Sequence, residues 1–250
     1  MSGQSWLLGL DVGSTTVKAV VLNSESREVV WQAYERHETR QAERSCEMVA
    51  RAQADLGLHS NNCRAFATGS GGRLLATETG ARFVQEVHAV TLAVEALHPE
   101  AGSAVELGGQ DAKIIIFKTD PVSGKRQKIT SMNDKCAGGT GAVIDKISAK
   151  LGISGSDLGR MGYAGVRLHQ VAGKCGVFAE TDINSLQKIG VPSTELMASL
   201  YAAIVAQNLS VLTRGNTLLP RVLLLGGPNT FISGLAEAWR HGIGQLWVER

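Results

Sequence analysis

Two stretches of this chain carry the same short pattern, and the repetition limits its fold more than any other feature. The first is Leu8-Gly-Leu-Asp-Val-Gly-Ser-Thr-Thr-Val-Lys-Ala-Val-Val-Leu22. An apolar run enters Asp11, Gly13 interrupts it, the hydroxyl residues Ser14, Thr15 and Thr16 follow, and a second apolar run leaves through Lys18. This reads as two strands joined by a tight turn whose amides and hydroxyls face outward. The second stretch, Val105-Glu-Leu-Gly-Gly-Gln-Asp-Ala-Lys-Ile-Ile-Ile-Phe117, starts its acid 95 residues later and aligns Glu106 on Asp11, Gly108 on Gly13 and Lys113 on Lys18. One acid–x–Gly hairpin is a weak signal, because many strand turns carry Asp and Gly. Two copies in register favour a duplicated phosphate clamp over a pair of ordinary hairpins. Glycine lets a ligand approach the main chain, and successive N–H groups in such a turn suit phosphate oxygens. Asp11 at the mouth suits a hydrated Mg²⁺ rather than the phosphate itself, since adjacent anions repel.

Little else in the composition points to a ligand. At 250 residues the chain has room for one large domain or two modest lobes. Its 25 basic and 23 acidic residues nearly balance, which argues against a nucleic-acid surface and against a charged tail. The 29 glycines cluster beside acids and hydroxyls, as backbone-built ligand loops do. The N-terminus enters a strand without a basic, apolar leader, and no apolar run approaches the ~20 residues of a membrane span. The expectation is a cytoplasmic protein with no membrane partner, whose four cysteines stay reduced.

Taken in order, the chain alternates strand and helix signals. A third strand is expected over Glu28 to Glu35, a helix over 45–57, and a buried strand over Arg64 to Thr68 running into the turn Gly69-Ser-Gly-Gly72. Val84 to Leu97 has helical spacing and ends before Pro99. After the second hairpin come a turn at Pro121–Gly124 and a return strand to about Met132. Helices are expected over 140–151, 154–159 and 179–189. A long one capped by Ser193 should reach Thr213, and another should run from Thr230 to His241. A buried strand, Arg221 to Leu225, leads into Gly226-Gly227. Three strands, helix, strand, helix, then the same again, is α/β architecture with an internal duplication. The expected lobes are residues 1–102 and 103–250, with the phosphate hairpins facing a cleft and the rest of a nucleotide near Gly226-Gly227. No Gly-x4-Gly-Lys-Ser/Thr is present, so the chain is not a P-loop protein.

Asn133-Asp-Lys-Cys-Ala-Gly-Gly-Thr-Gly141 sets Cys136 just ahead of a helix, and Gly173-Lys-Cys-Gly176 does the same for Cys175. A helix N-terminus stabilises a thiolate, or an anionic cluster bound to it. Spacing alone favours two unpaired loop cysteines, since neither lies in a Cys-x-x-Cys pair. If both are ligands, two thiolates leave a four-thiolate iron–sulfur site half complete, and a twofold axis would supply the other pair from an identical subunit. A zinc site with His169 is the alternative.

Together these stretches resemble the ATP-dependent activators of 2-hydroxyacyl-CoA dehydratases, which belong with the benzoyl-CoA reductase ATPase subunits in the BadF/BadG/BcrA/BcrD ATPase family. The likeness spans residues 6 to about 230 and rests on Asp11 to Lys18, Thr68-Gly69, Gly108-Gly-Gln-Asp-Ala-Lys113, and Asn133-Asp-Lys-Cys136 with Gly138 and Thr140-Gly141. It continues through Cys175 with Val177-Phe-Ala-Glu180 and through Gly226-Gly227. The resemblance implies a duplicated RNase H-like, actin-like ATPase fold with two lobes around a nucleotide cleft. It implies a homodimer sharing one [4Fe–4S] cluster through Cys136 and Cys175. It also implies ATP/ADP and Mg²⁺ in the cleft, and an electron taken from ferredoxin or flavodoxin and passed to a dehydratase or reductase component. Ser14, Thr15 and Thr16 would grip phosphates, Asp11 and Glu106 would organise Mg²⁺ and water, and Gln110 or Asp111 would position the attacking water. Gly13, Lys18, Gly108, Gly109, Gly226 and Gly227 complete the implied nucleotide contacts.

The chain departs from that pattern in three places. Glu106 stands where the dedicated activators have Asp. Gly226-Gly-Pro-Asn229 replaces Gly-Gly-Val-x-x-Asn, and the ending Glu237 to Trp247 resembles the first activator-like unit of long fused chains. Two rival readings remain at this level: a small-molecule kinase of the same fold with Asp134 or Asp182 as base, and a nucleotide-binding module whose cysteines are inert.

Overall fold

A computed structural model describes residues 5–133, 137–173, 175–244 and 248–249. The chain separates into two compact units, one ending at Leu92 and the other beginning at Ala93, each built on a five-stranded sheet.

In the first unit, β1 (Trp6–Val12), β2 (Thr16–Asn23) and β3 (Val29–Arg36) form an antiparallel meander. There follow α1 (Gln41–Leu56), β4 (Cys63–Thr68), α2 (Gly72–Thr79), the short β5 (Arg82–Phe83) and α3 (Glu86–Leu97), within which the division between units falls. The sheet order is β3-β2-β1-β4-β5, with β4 parallel to β1. Side chains alternate across a strand, so Trp6, Leu8, Leu10 and Val12 share one face with Val17, Ala19 and Val21. All are buried in a core with Met48 and Ala52 of α1 and Leu75 and Ala76 of α2. The same alternation puts Asp11 and Lys18 on the opposite face.

The second unit repeats the plan. Its meander is β6 (Ser103–Leu107), β7 (Ala112–Thr119) and β8 (Arg126–Asn133), followed by α4 (Gly141–Lys150), α5 (Gly155–Arg160), α6 (Gly176–Lys188) and α7 (Ser193–Leu212). Then come β9 (Val222–Leu225), α8 (Gly227–Phe231), α9 (Ser233–Ile243) and β10 (Val248–Glu249). The order is β10-β9-β6-β7-β8, and β9 runs parallel to β6 as β4 does to β1. Every residue of β7 from Ala112 to Phe117 is buried, so both faces of this strand are covered. At 20 residues α7 is long and apolar enough to cross a membrane, yet Leu196, Leu200, Tyr201 and Ile204 are buried in one core with Leu235 and Trp239 of α9. The duplicated α/β plan is the one expected from the two hairpins.

Three local expectations are corrected and the bounds of a fourth are trimmed. Ser193 is the first residue of α7 rather than its cap, and Pro192, with φ near −60°, takes the cap position. The helix expected from Thr230 to His241 is two helices, because Ile232 is extended and buried and Ser233 Oγ bonds back to Gly159 O. The turn expected at 69–72 forms over 69–71, and Gly72 is already the first residue of α2, whose Leu75 and Ala76 are buried. Finally, β4 is not buried throughout. Only Ala67 is, because β5 pairs with it at Phe66 and Ala67 alone, and one side lines a cavity of about 350 Å³ that also reaches Asp11 and Lys18.

Candidate functional site: a twice-built phosphate turn

The two hairpins share one register. Asp11 stands directly opposite Lys18 across β1–β2, and Glu106 directly opposite Lys113 across β6–β7. Both turns close the same way, with Gly13 N–H donating to Thr16 O at 3.0 Å and Gly108 N–H to Asp111 O at 2.9 Å. Burial differs. Lys18 Nζ lies 2.6 Å from Asp11 Oδ2, with both side chains about one-third exposed at 34% and 30%. Lys113 is fully buried, and its Nζ lies 3.3 Å from Glu106 Oε2 and 2.8 Å from Asp111 Oδ2. An ammonium inside an apolar strand needs such partners. The Asp111 carboxylate folds back over the turn, where a Cβ on Gly108 would stand 2.0 Å from its Oδ1. Gln110 is exposed at the tip.

The carbonyls of the first turn are held from behind. Val12 O accepts from Gly71 N–H at 2.9 Å, Thr15 O from His37 N–H at 3.2 Å, and Gly13 O from Gln41 Nε2 at 2.7 Å. In a trans peptide the C=O and the following N–H point in opposite directions. Holding the Gly13 carbonyl therefore turns the Ser14 N–H away from Gln41, and the N–H groups of Ser14 and Thr15 donate to nothing among the described residues. The second turn is held at the equivalent carbonyl. Gly108 O accepts from Gly141 N–H at 2.9 Å, and Gly109 O from Ala142 N–H at 2.7 Å and Thr140 Oγ1 at 3.0 Å. These amides open α4 and would otherwise be orphan helix donors. Gln41 and Gly141 are each the first residue of the helix that follows the meander.

Sequence reasoning missed His37 and Gln41, which belong to no motif. Arg40, at the cap of α1, makes no side-chain cap bond. The loop before it is bent through Glu38 and Thr39, both left-handed with φ of 47° and 70°, a conformation that costs about 1–3 kcal/mol each. The His37 imidazole is buried with neither ring nitrogen hydrogen-bonded.

A glycine seals each hairpin from the neighbouring parallel strand. Gly69 follows β4 at φ 86° and Gly226 follows β9 at φ 90°, and a Cβ would lie 2.5 Å from Val12 O and 2.1 Å from Leu107 O respectively. Val12 follows Asp11 as Leu107 follows Glu106, so the two glycines are equivalent. Gly227 opens α8, and the buried Asn229 side chain bonds Val105 O, Leu225 O and Trp239 Nε1.

A magnesium–nucleotide fits these residues. Asp11 Oδ1 is buried without a hydrogen-bond partner, as is Thr68 Oγ1, which belongs to the residue paired with Asp11 across β1–β4. Unspent oxygen acceptors beside undonated amides are the groups that a hard cation and phosphate oxygens require.

Cys136 and Asp134 lie outside the described residues. Cys175 is a free thiol at the cap of α6 and makes no cap hydrogen bond. The next residue packs tightly: a Cβ on Gly176 would stand 2.8 Å from Val143 Cγ2 and 3.5 Å from Gly138 Cα. The start of α6 thus presses on the short turn Ala137–Gly139 and on α4. Cys46 is exposed, and burial pushes the half-buried Cys63 thiol up from its ordinary pKa. His169 Nε2 is paired with Glu195 Oε2 at 2.7 Å, and Asp182 Oδ2 accepts from Ala172 N–H at 2.8 Å, so both are spent on local structure. No group of three or more His, Cys, Asp or Glu side chains converges among the described residues.

Residues 8–240, which contain both hairpins, both sealing glycines and Cys175, match the family described as BadF/BadG/BcrA/BcrD ATPase. The chain belongs to that ATPase family. One relative of this family member is the (R)-2-hydroxyglutaryl-CoA dehydratase activating ATPase of Acidaminococcus fermentans, 24% identical over 96% of this chain and 88% of the relative. The crystal structure of component A of the A. fermentans (R)-2-hydroxyglutaryl-CoA dehydratase has a TM-score of 0.82 at 24% identity, over 98% of this chain and 91% of that one. The activator of the 2-hydroxyisocaproyl-CoA dehydratase from Clostridium difficile, solved with bound ADPNP, has a TM-score of 0.80 at 24% identity, over 98% and 87%. At these identities the structures establish that this member of the family has the activators' actin-like fold.

Proposed function

We propose that the chain hydrolyses ATP to drive a low-potential electron from ferredoxin or flavodoxin into a 2-hydroxyacyl-CoA dehydratase or a related reductase. On this reading two copies share a [4Fe–4S] cluster, each giving Cys136 and Cys175. Relatives named as dehydratase activators, one of them solved with an ATP analogue, support it. The observation that carries it is the pair of bonds from the first amides of α4 to the carbonyls of Gly108 and Gly109, with Gly176 packed on Gly138 beside them. These contacts join a phosphate turn to the two segments that hold the cysteines.

Ser14, Thr15 and Thr16 bind phosphate oxygens through amides and hydroxyls, framed by Gly13 and Lys18, and the turn at Gly108 and Gly109 offers the same kind of contact in its own unit. Asp11, whose Oδ1 has no hydrogen-bond partner, would hold Mg²⁺, which when bound neutralises phosphate charge, and Glu106, at the matching position but set against Lys113, would act through water. Gln110 orients the attacking water, because Asp111 is already engaged by Lys113. Gly226 and Gly227, at the carboxyl end of β9, would lie beside the adenosine. Cys136 and Cys175 are electron-transfer ligands and not nucleophiles, the cluster supplying a one-electron couple. Only contacts that differ between the ATP and ADP states can move α4 and α6.

The test is phosphate release from ATP by protein purified without oxygen. Turnover should fall at least a hundredfold in Asp11→Asn. Transfer of the phosphate to a sugar instead of water would replace this reading with the kinase.

A further inference from the structure

We propose that Gln41 is a positioning residue for phosphate binding, a role that rests on the nucleotide reading above. Its Nε2 donates 2.7 Å to the Gly13 carbonyl, the only side-chain bond found on the first turn's backbone among the described residues. In the second unit a backbone amide, that of Gly141, holds the equivalent Gly108 carbonyl. The first unit does the same task with a side chain, from the same position at the start of the helix. Room for that side chain is reserved: a Cβ on Gly71 would lie 2.6 Å from Gln41 Oε1. Gly71 has an ordinary backbone conformation, so its lack of a side chain serves the fit to Gln41 and not its own φ. With the Gly13 carbonyl held, the Ser14 N–H is directed outward before ligand arrives, and no reorientation opposes binding. Without the donor, this peptide is free to rotate and phosphate must order it.

The experiment compares ADP and ATP binding, by calorimetry with magnesium, in wild type, Gln41→Met, Gln41→Lys and Gly71→Ala. Methionine removes the donor at similar volume, lysine keeps one within reach, and the alanine displaces Gln41 without altering it. Expected are a tenfold or greater loss of affinity for both nucleotides in Gln41→Met and Gly71→Ala, and less than threefold in Gln41→Lys. The KM for ATP should rise while kcat stays within threefold, and urea midpoints should remain at the wild-type value. Wild-type affinity in Gln41→Met would overturn the inference, as would equal losses in the Met and Lys variants or a loss that tracks the unfolding midpoint. Wild-type protein that binds neither nucleotide would instead overturn the underlying reading, and the inference with it.

Discussion

Lys113 Nζ lies 3.3 Å from Glu106 Oε2, fully buried, in the register that sets Lys18 against Asp11 at the surface of the other unit. One pairing therefore exists in two dielectric settings. Lys113→Met leaves two largely buried carboxylates without their cation and should cost about 3 kcal/mol. Lys18→Met, with both partners about one-third exposed, should cost less than about 1 kcal/mol. Urea unfolding of the two variants measures the difference, and equal costs would contradict the burial argument.

The sealing glycines make a second contrast. Gly226→Ala puts a Cβ 2.1 Å from Leu107 O at a left-handed φ, and Gly69→Ala one 2.5 Å from Val12 O. Each should destabilise by more than about 4 kcal/mol, because backbone cannot yield. Gly57→Ala, also left-handed but with nothing within 4 Å, should lose only about 1–2 kcal/mol. Circular-dichroism melts of the three variants give the ranking.

The buried Asn229 side chain ties β6, β9 and α9 together through three hydrogen bonds. Asn229→Ala leaves a Trp239 N–H and two carbonyls unmatched and should cost about 2–4 kcal/mol in chemical denaturation. A cost under 1 kcal/mol would mean that water replaces the side chain.

Lys146 and Lys150 of α4 bond Glu180 of α6 and hold its carboxyl below the ordinary glutamate value of 4.5. A lowered folded-state pKa adds stability that is present above the unfolded value and is lost as pH falls through the folded one. Wild type should therefore unfold at higher urea than Glu180→Gln at neutral pH, and the gap should close in acid below 4.5. A gap independent of pH would show that the pairs do not link these helices.

The hairpins were legible because each strand pair reports itself locally: an acid, a glycine and a lysine at fixed offsets set the register. The duplicated α/β plan followed from the repeat. The equivalence of Gly69 and Gly226 was not legible, since Thr68-Gly69-Ser70 and Leu225-Gly226-Gly227 share nothing but one glycine, and the equivalence lies in the carbonyl each covers. Gln41 was invisible for a related reason. It meets Gly13 across 28 residues of sequence, and any donor at that point would do, so no residue pattern announces it. The break at Ile232 depends on a bond from Ser233 to Gly159, a tertiary contact that helical spacing does not encode.

Iron and acid-labile sulfide, measured per chain in protein purified without oxygen, test the central claim most directly. The proposal expects about two irons per chain, one half of a four-iron cluster, and expects Cys175→Ala to lose them while still binding ADP. Iron-free wild type, or iron unchanged in Cys175→Ala, would contradict it.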